Sequence, residues 1–270
     1  MMNKLAALLV ALMLATAGLA GPAAASGGAD VRFEPAPINR LDAASLQRGA
    51  RTFVNYCLNC HSAKYMRYNR LADIGIDLPM IQDNLMFATD KIGNTMTIAM
   101  TAKDAKAWFG APPPDLTVEA RVRGADWLYN YFLGFYQDDA SASGWNNLVF
   151  PNVGMPHVLW KQGGTQRLVS NEYKTHEEAL AGAIALKGLA LLAPGKGGTY
   201  LVETVAPDSP GTMTPAQYKA MVADLVNYLD YMSEPAKNKR ISLGLIVLLY
   251  LGVLFVFAYL LKREYWKDVH

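Results

Sequence analysis

Residues 48–71 read RGARTFVNYCLNCHSAKYMRYNRL, and the run Cys57-Leu58-Asn59-Cys60-His61 at its centre sets the chemistry of the chain. Two thiols three residues apart, with a histidine directly after the second, form the attachment signature of c-type haem. The spacing has a chemical reason. The thiols reach two vinyl groups on one porphyrin edge and form thioethers, and His61 then lies under the ring with its imidazole aimed at the iron. Other uses of a cysteine pair fit less well. A thioredoxin-like pair sits within a βαβ pattern, which does not surround these residues. A structural zinc site takes four ligands, usually from two such pairs, and the chain has only two cysteines. A disulfide leaves the following histidine as an accident.

Upstream of the motif, Leu46, Ala50, Phe53 and Val54, then Cys57, follow a helical stripe. Other readable segments are also mostly helical. Residues 101–109 begin with the weak capping pair Thr101 and Asp104. Residues 125–136 (ADWLYNYFLGFY) read as a buried aromatic helix. Residues 214–233 carry the clearest signals: Thr214 as N-cap, Pro215 at the first helical position and Gln217 completing a capping box. Tyr218, Met221, Val222, Leu225, Leu229 and Met232 form the apolar stripe of that helix. One short β pair is expected around Tyr200 to Val205. The expected fold is mainly α, punctuated by loops rich in Gly and Pro.

The 270 residues are 52% hydrophobic and 18% charged, with a formal net charge of +2. That balance excludes a disordered charged tail and gives no support to a nucleic-acid partner, which asks for clustered Lys and Arg. The average conceals unlike parts. Residues 1–25 read as a secretory signal, with Lys4, an apolar run from Leu5 to Leu19, and Ala23-Ala24-Ala25 before the cut; a cut after Ala20 also fits. Ile241 to Leu261 is free of charge, and its length of about 31 Å matches one hydrocarbon thickness. Lys237, Lys239 and Arg240 precede it; Lys262, Arg263 and Lys267 come after it, with Tyr265 and Trp266 at the interface. Three cations on each side set no orientation, but the export signal does. The expected organisation is an exported haem domain at 26–236, an anchor helix with its flanks at 237–262, and a cytoplasmic tail at 263–270; the resemblance described below implies that the domain is periplasmic and the membrane a bacterial inner one. The exported domain carries 18 Lys/Arg against 21 Asp/Glu.

The iron needs a sixth ligand or an open face. His157, His176 and the methionines are candidates; His270 lies beyond the anchor. Met155 stands out because it sits in a loop, Phe150-Pro151-Asn152-Val153-Gly154-Met155-Pro156, and not on a helix stripe. His157 competes from two residues away, and Met80, Met96 and Met100 stay open. In Gly110-Ala111-Pro112-Pro113-Pro114-Asp115-Leu116, a backbone carbonyl is available to take the imidazole N–H of His61 and fix its tautomer. Arg121 and Arg123 are the nearest candidates for the haem propionates. Trp108, Trp127, Tyr131 and Phe132 are candidates for apolar cover. Asp138, Asp139, Glu172, Glu177 and Glu178 are candidates to attract a cationic partner.

Taken in order, the run 48–71, PPDL (113–116), ARVRG (120–124), FPNVGMP (150–156) and the C-terminal anchor resemble cytochrome c1 of the proteobacterial type. This is the haem subunit of the quinol–cytochrome c reductase (cytochrome bc1) complex. The resemblance implies a class I cytochrome c-like helical haem domain with long loop insertions and one C-terminal transmembrane helix. It implies one covalent haem c on Cys57 and Cys60, with His61 as proximal and Met155 as distal ligand. Pro114 resembles the proline whose carbonyl meets the proximal histidine, and Arg123 the propionate-binding arginine. Trp127 lies near where the family places an aromatic beside the haem, although its spacing after Arg123 departs from animal members. The implied activity is electron transfer from a Rieske iron–sulfur protein to a soluble or anchored cytochrome c. A cytochrome b subunit and a dimeric complex are the further implied partners. Another membrane-anchored cytochrome feeding a terminal oxidase is the alternative.

Overall fold

The structure is a computed structural model that describes residues 30–267. The expected signal peptide and its cleavage site lie outside the described residues, as does His270. The strands are β1 (Asp30–Arg32), β2 (Ala63–Arg67), β3 (Thr95–Met96), β4 (Phe135–Gln137), β5 (Trp145–Asn147), β6 (Thr165–Tyr173), β7 (Ala190–Pro194) and β8 (Tyr200–Ser209). The helices are α1 (Ala43–Tyr56), α2 (Leu78–Leu85), α3 (Ala102–Phe109), α4 (Glu119–Arg123), α5 (Ala125–Leu133), α6 (Trp160–Gly163), α7 (His176–Ala185), α8 (Pro215–Ser233) and α9 (Lys237–Tyr265). The described residues divide into a larger unit, residues 34–169 with 205–267, and a smaller one, residues 30–33 with 170–204.

In the larger unit the main core lies where α1 crosses α8, the most extensive contact between elements. Both helices start as their sequences dictate. The Asp42 carboxylate accepts the Ser45 N–H, and Thr214 and Gln217 form a complete capping box. Gly49 lets the axes approach: a Cβ there would stand 2.1 Å from the Asp224 carbonyl oxygen. Phe53, Leu225, Val226 and Tyr228 are wholly buried at this crossing, and the Phe53 and Tyr228 rings lie 5.5 Å apart. Burying each large apolar side chain contributes roughly 1.5–3 kcal/mol. At the edge, Arg48 grips Asp224 with two hydrogen bonds of 2.6 and 2.9 Å.

The aromatic helix is shorter than its sequence predicts. It ends at Leu133, where Gly134 donates its N–H to Tyr131 O. Phe135–Gln137 instead pairs antiparallel with β5, placing Phe135 opposite Asn147. Glycine is a poor helix residue, and the Phe-Tyr pair after it suits a strand.

The smaller unit was largely unforeseen. Its strand β7 pairs antiparallel with β1 and with β8, in a four-stranded sheet of order β1-β7-β8-β6. Ala179 and Ala183 of α7 pack with Ala190, Leu192 and Val202. Arg32 donates to the carbonyls of Ala183 and Ile184 at 2.9 and 2.8 Å, capping the end of α7. The expected β pair at Tyr200 to Val205 is present as part of this sheet.

Helix α9 has 29 residues, none of them buried, and is long and apolar enough to cross a membrane. At its foot, Glu234 pairs with Arg240 at 2.6 Å and approaches Arg121 at 4.0 Å.

Candidate haem site

The CxxCH run sits where α1 unwinds. Cys57 is the C-cap, its N–H bonded to Phe53 O, and the chain then turns so that Cys60 and His61 both donate to Cys57 O at 3.1 and 2.9 Å. Both thiols are free; Cys57 is buried and Cys60 half-buried. Burial pushes the Cys57 thiol up to about 12. His61 Nδ1 lies 2.8 Å from the Pro114 carbonyl oxygen, the geometry of an imidazole N–H donating to a backbone acceptor. Burial lowers the His61 pKa, while the Pro114 hydrogen bond opposes it. Pro114 is itself placed by the segment after it. Leu116 N–H bonds Ser62 O at 2.9 Å, and the Asp115 carboxylate accepts the Lys64 N–H at 2.8 Å.

A second group of site residues clusters around α5. The Arg123 guanidinium stacks on the Trp127 ring at 4.7 Å and lies 5.7 Å from Phe150. Trp127 stacks on Tyr131 at 5.0 Å with 12° between the planes. The Tyr131 hydroxyl donates to the Met155 sulfur at 3.4 Å. Arg123, Trp127 and Met155 thus join one chain of contacts through Tyr131. Arg121, two residues from Arg123, turns instead toward Glu234.

The loop that carries Met155 is tied down by two asparagines that the sequence patterns do not single out. Asn147, wholly buried, donates to Tyr131 O at 2.7 Å and accepts the N–H groups of Val149 and Phe150 at 2.9 and 3.1 Å. Asn146 Oδ1 accepts the Asn152 N–H at 2.8 Å, and Asn152 adopts φ 61°. An Asn-Asn pair at the end of a short strand is the only sequence signal for this, and it is a weak one.

The other candidates are placed differently. His157 is buried, stacked on Phe135 at 4.8 Å with its Nδ1 unpartnered, and burial depresses its pKa to about 4. Met80 is exposed on α2, whereas Met96 is buried beside the Tyr228 hydroxyl. His176 belongs to the smaller unit. Trp108, a candidate for haem cover, is 67% exposed. It borders an open cavity of about 760 Å³ with Phe109, Asp138, Gly154 and Pro156. Among the acids, Asp138 accepts from Asn146 Nδ2, and Glu178 closes the capping box of α7.

The residues suit a porphyrin better than a bare ion. Among the described residues no three or more His, Cys, Asp or Glu converge as a chelating set. A porphyrin supplies its own nitrogen donors and asks the protein for two thiols and axial donors.

The chain matches the cytochrome c1 family over residues 34–175 and 210–269. It belongs to the cytochrome c1 family. A cytochrome c1 of Allochromatium vinosum is 47% identical over 262 residues, 96% of this chain and 99% of that one. A protein of Nitrosomonas europaea named ammonia monooxygenase gamma subunit is 45% identical over 269 residues, the full length of both. A cytochrome c1 of Rhodospirillum rubrum is 28% identical over 254 residues, covering 86% and 84%. With cytochrome c1 membership come electron transport as the role and one haem c as the cofactor. Residues 176–209, which hold α7, β7 and β8, fall outside the cytochrome c1 match.

Proposed function

We propose that this chain passes electrons from a Rieske iron–sulfur protein to a cytochrome c, as the haem subunit of a quinol–cytochrome c reductase. In this reading it works beside a cytochrome b in a dimeric complex of the bacterial inner membrane. Residues 26–236 form the periplasmic domain, 237–262 the anchor with its flanks and 263–270 a cytoplasmic tail. The observation that carries the proposal is the hydrogen bond of His61 to Pro114 beside the free thiols of Cys57 and Cys60. The bound haem supplies a centre that takes up and releases one electron.

The residues have separate tasks. Cys57 and Cys60 hold the porphyrin covalently. Pro114, by accepting from His61 Nδ1, would fix the tautomer that leaves Nε2 free to hold the haem and would raise the basicity of the ring. Met155 supplies a thioether, which favours the ferrous state and suits an acceptor of Rieske electrons. Arg123 meets a propionate, and Trp127 and Tyr131 keep water from the distal side. A haem held by both His61 and Met155 would exchange electrons without binding a substrate.

Two other readings have support. The name of the Nitrosomonas relative points to an ammonia-oxidising assembly, and the single anchor also suits a cytochrome that feeds an oxidase. Purifying the tagged chain from solubilised membranes separates them. Recovery of a dihaem cytochrome b and a Rieske protein, with quinol-dependent reduction of the haem, is expected. Recovery with a terminal oxidase, or with an ammonia-oxidising activity and no cytochrome b, would overturn the proposal.

A further inference from the structure

We infer that Tyr131 tunes the haem through the sulfur of Met155: its hydroxyl is a hydrogen-bond donor that weakens the thioether and raises the reduction potential. The inference rests on the proposed ligation by Met155 and deepens it. Tyr131 is a positioning residue acting through the ligand.

The geometry is specific. The hydroxyl donates to Met155 Sδ at 3.4 Å, while the side chain is 92% buried. The ring has little freedom to leave. Trp127 stacks on one face at 5.0 Å, and Phe132 and Phe135 meet it edge-on at 5.6 and 5.0 Å. Asn147 fixes the Tyr131 backbone and the loop that leads to Met155 with the same side chain. Donor and acceptor are therefore held by one scaffold.

The electronic consequence has one sign. A thioether sulfur has two lone pairs, and one of them faces the phenol O–H when the other faces a metal. Hydrogen bonding draws density from sulfur, so the thioether becomes a poorer donor to ferric iron. The O–H dipole also turns its positive end toward the site. Both effects disfavour the oxidised state.

Tyr131→Phe tests this in the full-length, haem-loaded chain, because it keeps the ring and removes only the donor. The expected result is about a threefold shift of the reduction equilibrium toward the ferric form, about 28 mV lower when tenfold is 59 mV. Ferric Met155 should also resist displacement by cyanide about threefold better. An unchanged potential with unchanged cyanide affinity overturns the inference. In a Met155→His background the Tyr131→Phe shift should vanish. An equal shift there assigns the effect to packing and also overturns it. If Tyr131→Phe accumulates no haem protein, the unsubstituted chain gives the answer: its iron–sulfur stretch should move on exchange into heavy water, and a fixed band rejects the hydrogen bond. Failure of the ligation reading is distinct, since the ferric chain would then lack the red thioether-to-iron charge-transfer band altogether.

Discussion

The guanidinium carbon of Arg123 lies 4.7 Å from the centroid of the Trp127 ring, while its Nε meets Glu119 Oε1 at 3.1 Å. Helices α4 and α5 are joined by Gly124 at φ 91°, so two short helices fold this cation over an aromatic face. The two partners hold the guanidinium over the ring without consuming all five of its donors. In the proposed site this positive charge would lie beside the haem and stabilise the electron-rich ferrous state. Arg123→Gln should therefore lower the midpoint potential by tens of millivolts, on the scale of about 59 mV per tenfold in a one-electron equilibrium. Arg123→Lys should recover only part of the loss, because an ammonium cannot reproduce the planar stack. A redox titration that leaves all three proteins level would remove Arg123 from the haem environment.

Replacing Cys57 and Cys60 together by Ala should abolish covalent haem, while either single change should leave a weakly attached fraction. Haem staining after denaturing electrophoresis reads this directly. Full staining in the double variant would end the attachment assignment. Because Cys57 is buried and its thiol pushed up to about 12, the free thiolate is scarce before attachment. The reduced apo-chain should accordingly react slowly with alkylating reagents at Cys57 and faster at the half-buried Cys60.

Asn147→Leu should loosen the Met155 loop. The substitution keeps the volume but leaves the Tyr131 carbonyl and the Val149 and Phe150 N–H groups without their partner. Each unmade buried hydrogen bond costs about 1–3 kcal/mol. Chemical denaturation should show a loss of roughly 2–4 kcal/mol, within the large end of single substitutions. The red thioether band should weaken in parallel. A variant that keeps both stability and band would show that the loop holds itself.

What the sequence disclosed tracks the strength of local chemistry. Thr214, Pro215 and Gln217 specify a helix start by themselves, and α8 begins there. The CxxCH spacing is dictated by the porphyrin edge, so its position is readable without a fold. Gly134 shows the opposite case. The helix pattern of residues 125–136 continues across it, and only pairing with Trp145–Asn147, ten residues downstream, draws Phe135 into a strand. The smaller unit was hidden for the same reason: β7 is a short apolar run, and its partners β1 and β8 lie far from each other in sequence. Asn147 was invisible because its three hydrogen bonds depend on a loop closing over it.

Gly49→Ala should be poorly tolerated. The added Cβ meets the Asp224 carbonyl oxygen at 2.1 Å and Tyr228 Cβ at 2.7 Å, both rigid parts of α8. Overpacking of this kind costs about 1–3 kcal/mol, which here outweighs the better helix propensity of Ala by about 1 kcal/mol. A thermal midpoint below that of the unsubstituted chain is expected. An equal or higher midpoint would mean that α1 and α8 separate without loss.

The buried phenols set a limit at high pH. Burial raises the pKa of Tyr228, Tyr218 and Tyr231 above the ordinary value of 10.0, Tyr231 to about 12. The folded chain therefore keeps protons that the unfolded chain releases. The stability these groups contribute is complete below pH 10 and declines as pH climbs above it, since the unfolded state then binds fewer protons. The slope is about 1.4 kcal/mol per pH unit for each fully buried phenol. Tyr228 is wholly buried at the α1–α8 crossing, so its ionisation requires that crossing to open. Urea unfolding monitored from pH 8 to pH 12 should show constant stability up to about pH 10 and a steep fall beyond. Tyr228→Phe keeps the ring against Phe53 and should make that fall shallower by one proton's worth. An unaltered slope would mean that Tyr228 ionises in the folded state, and with it that the crossing is open to water.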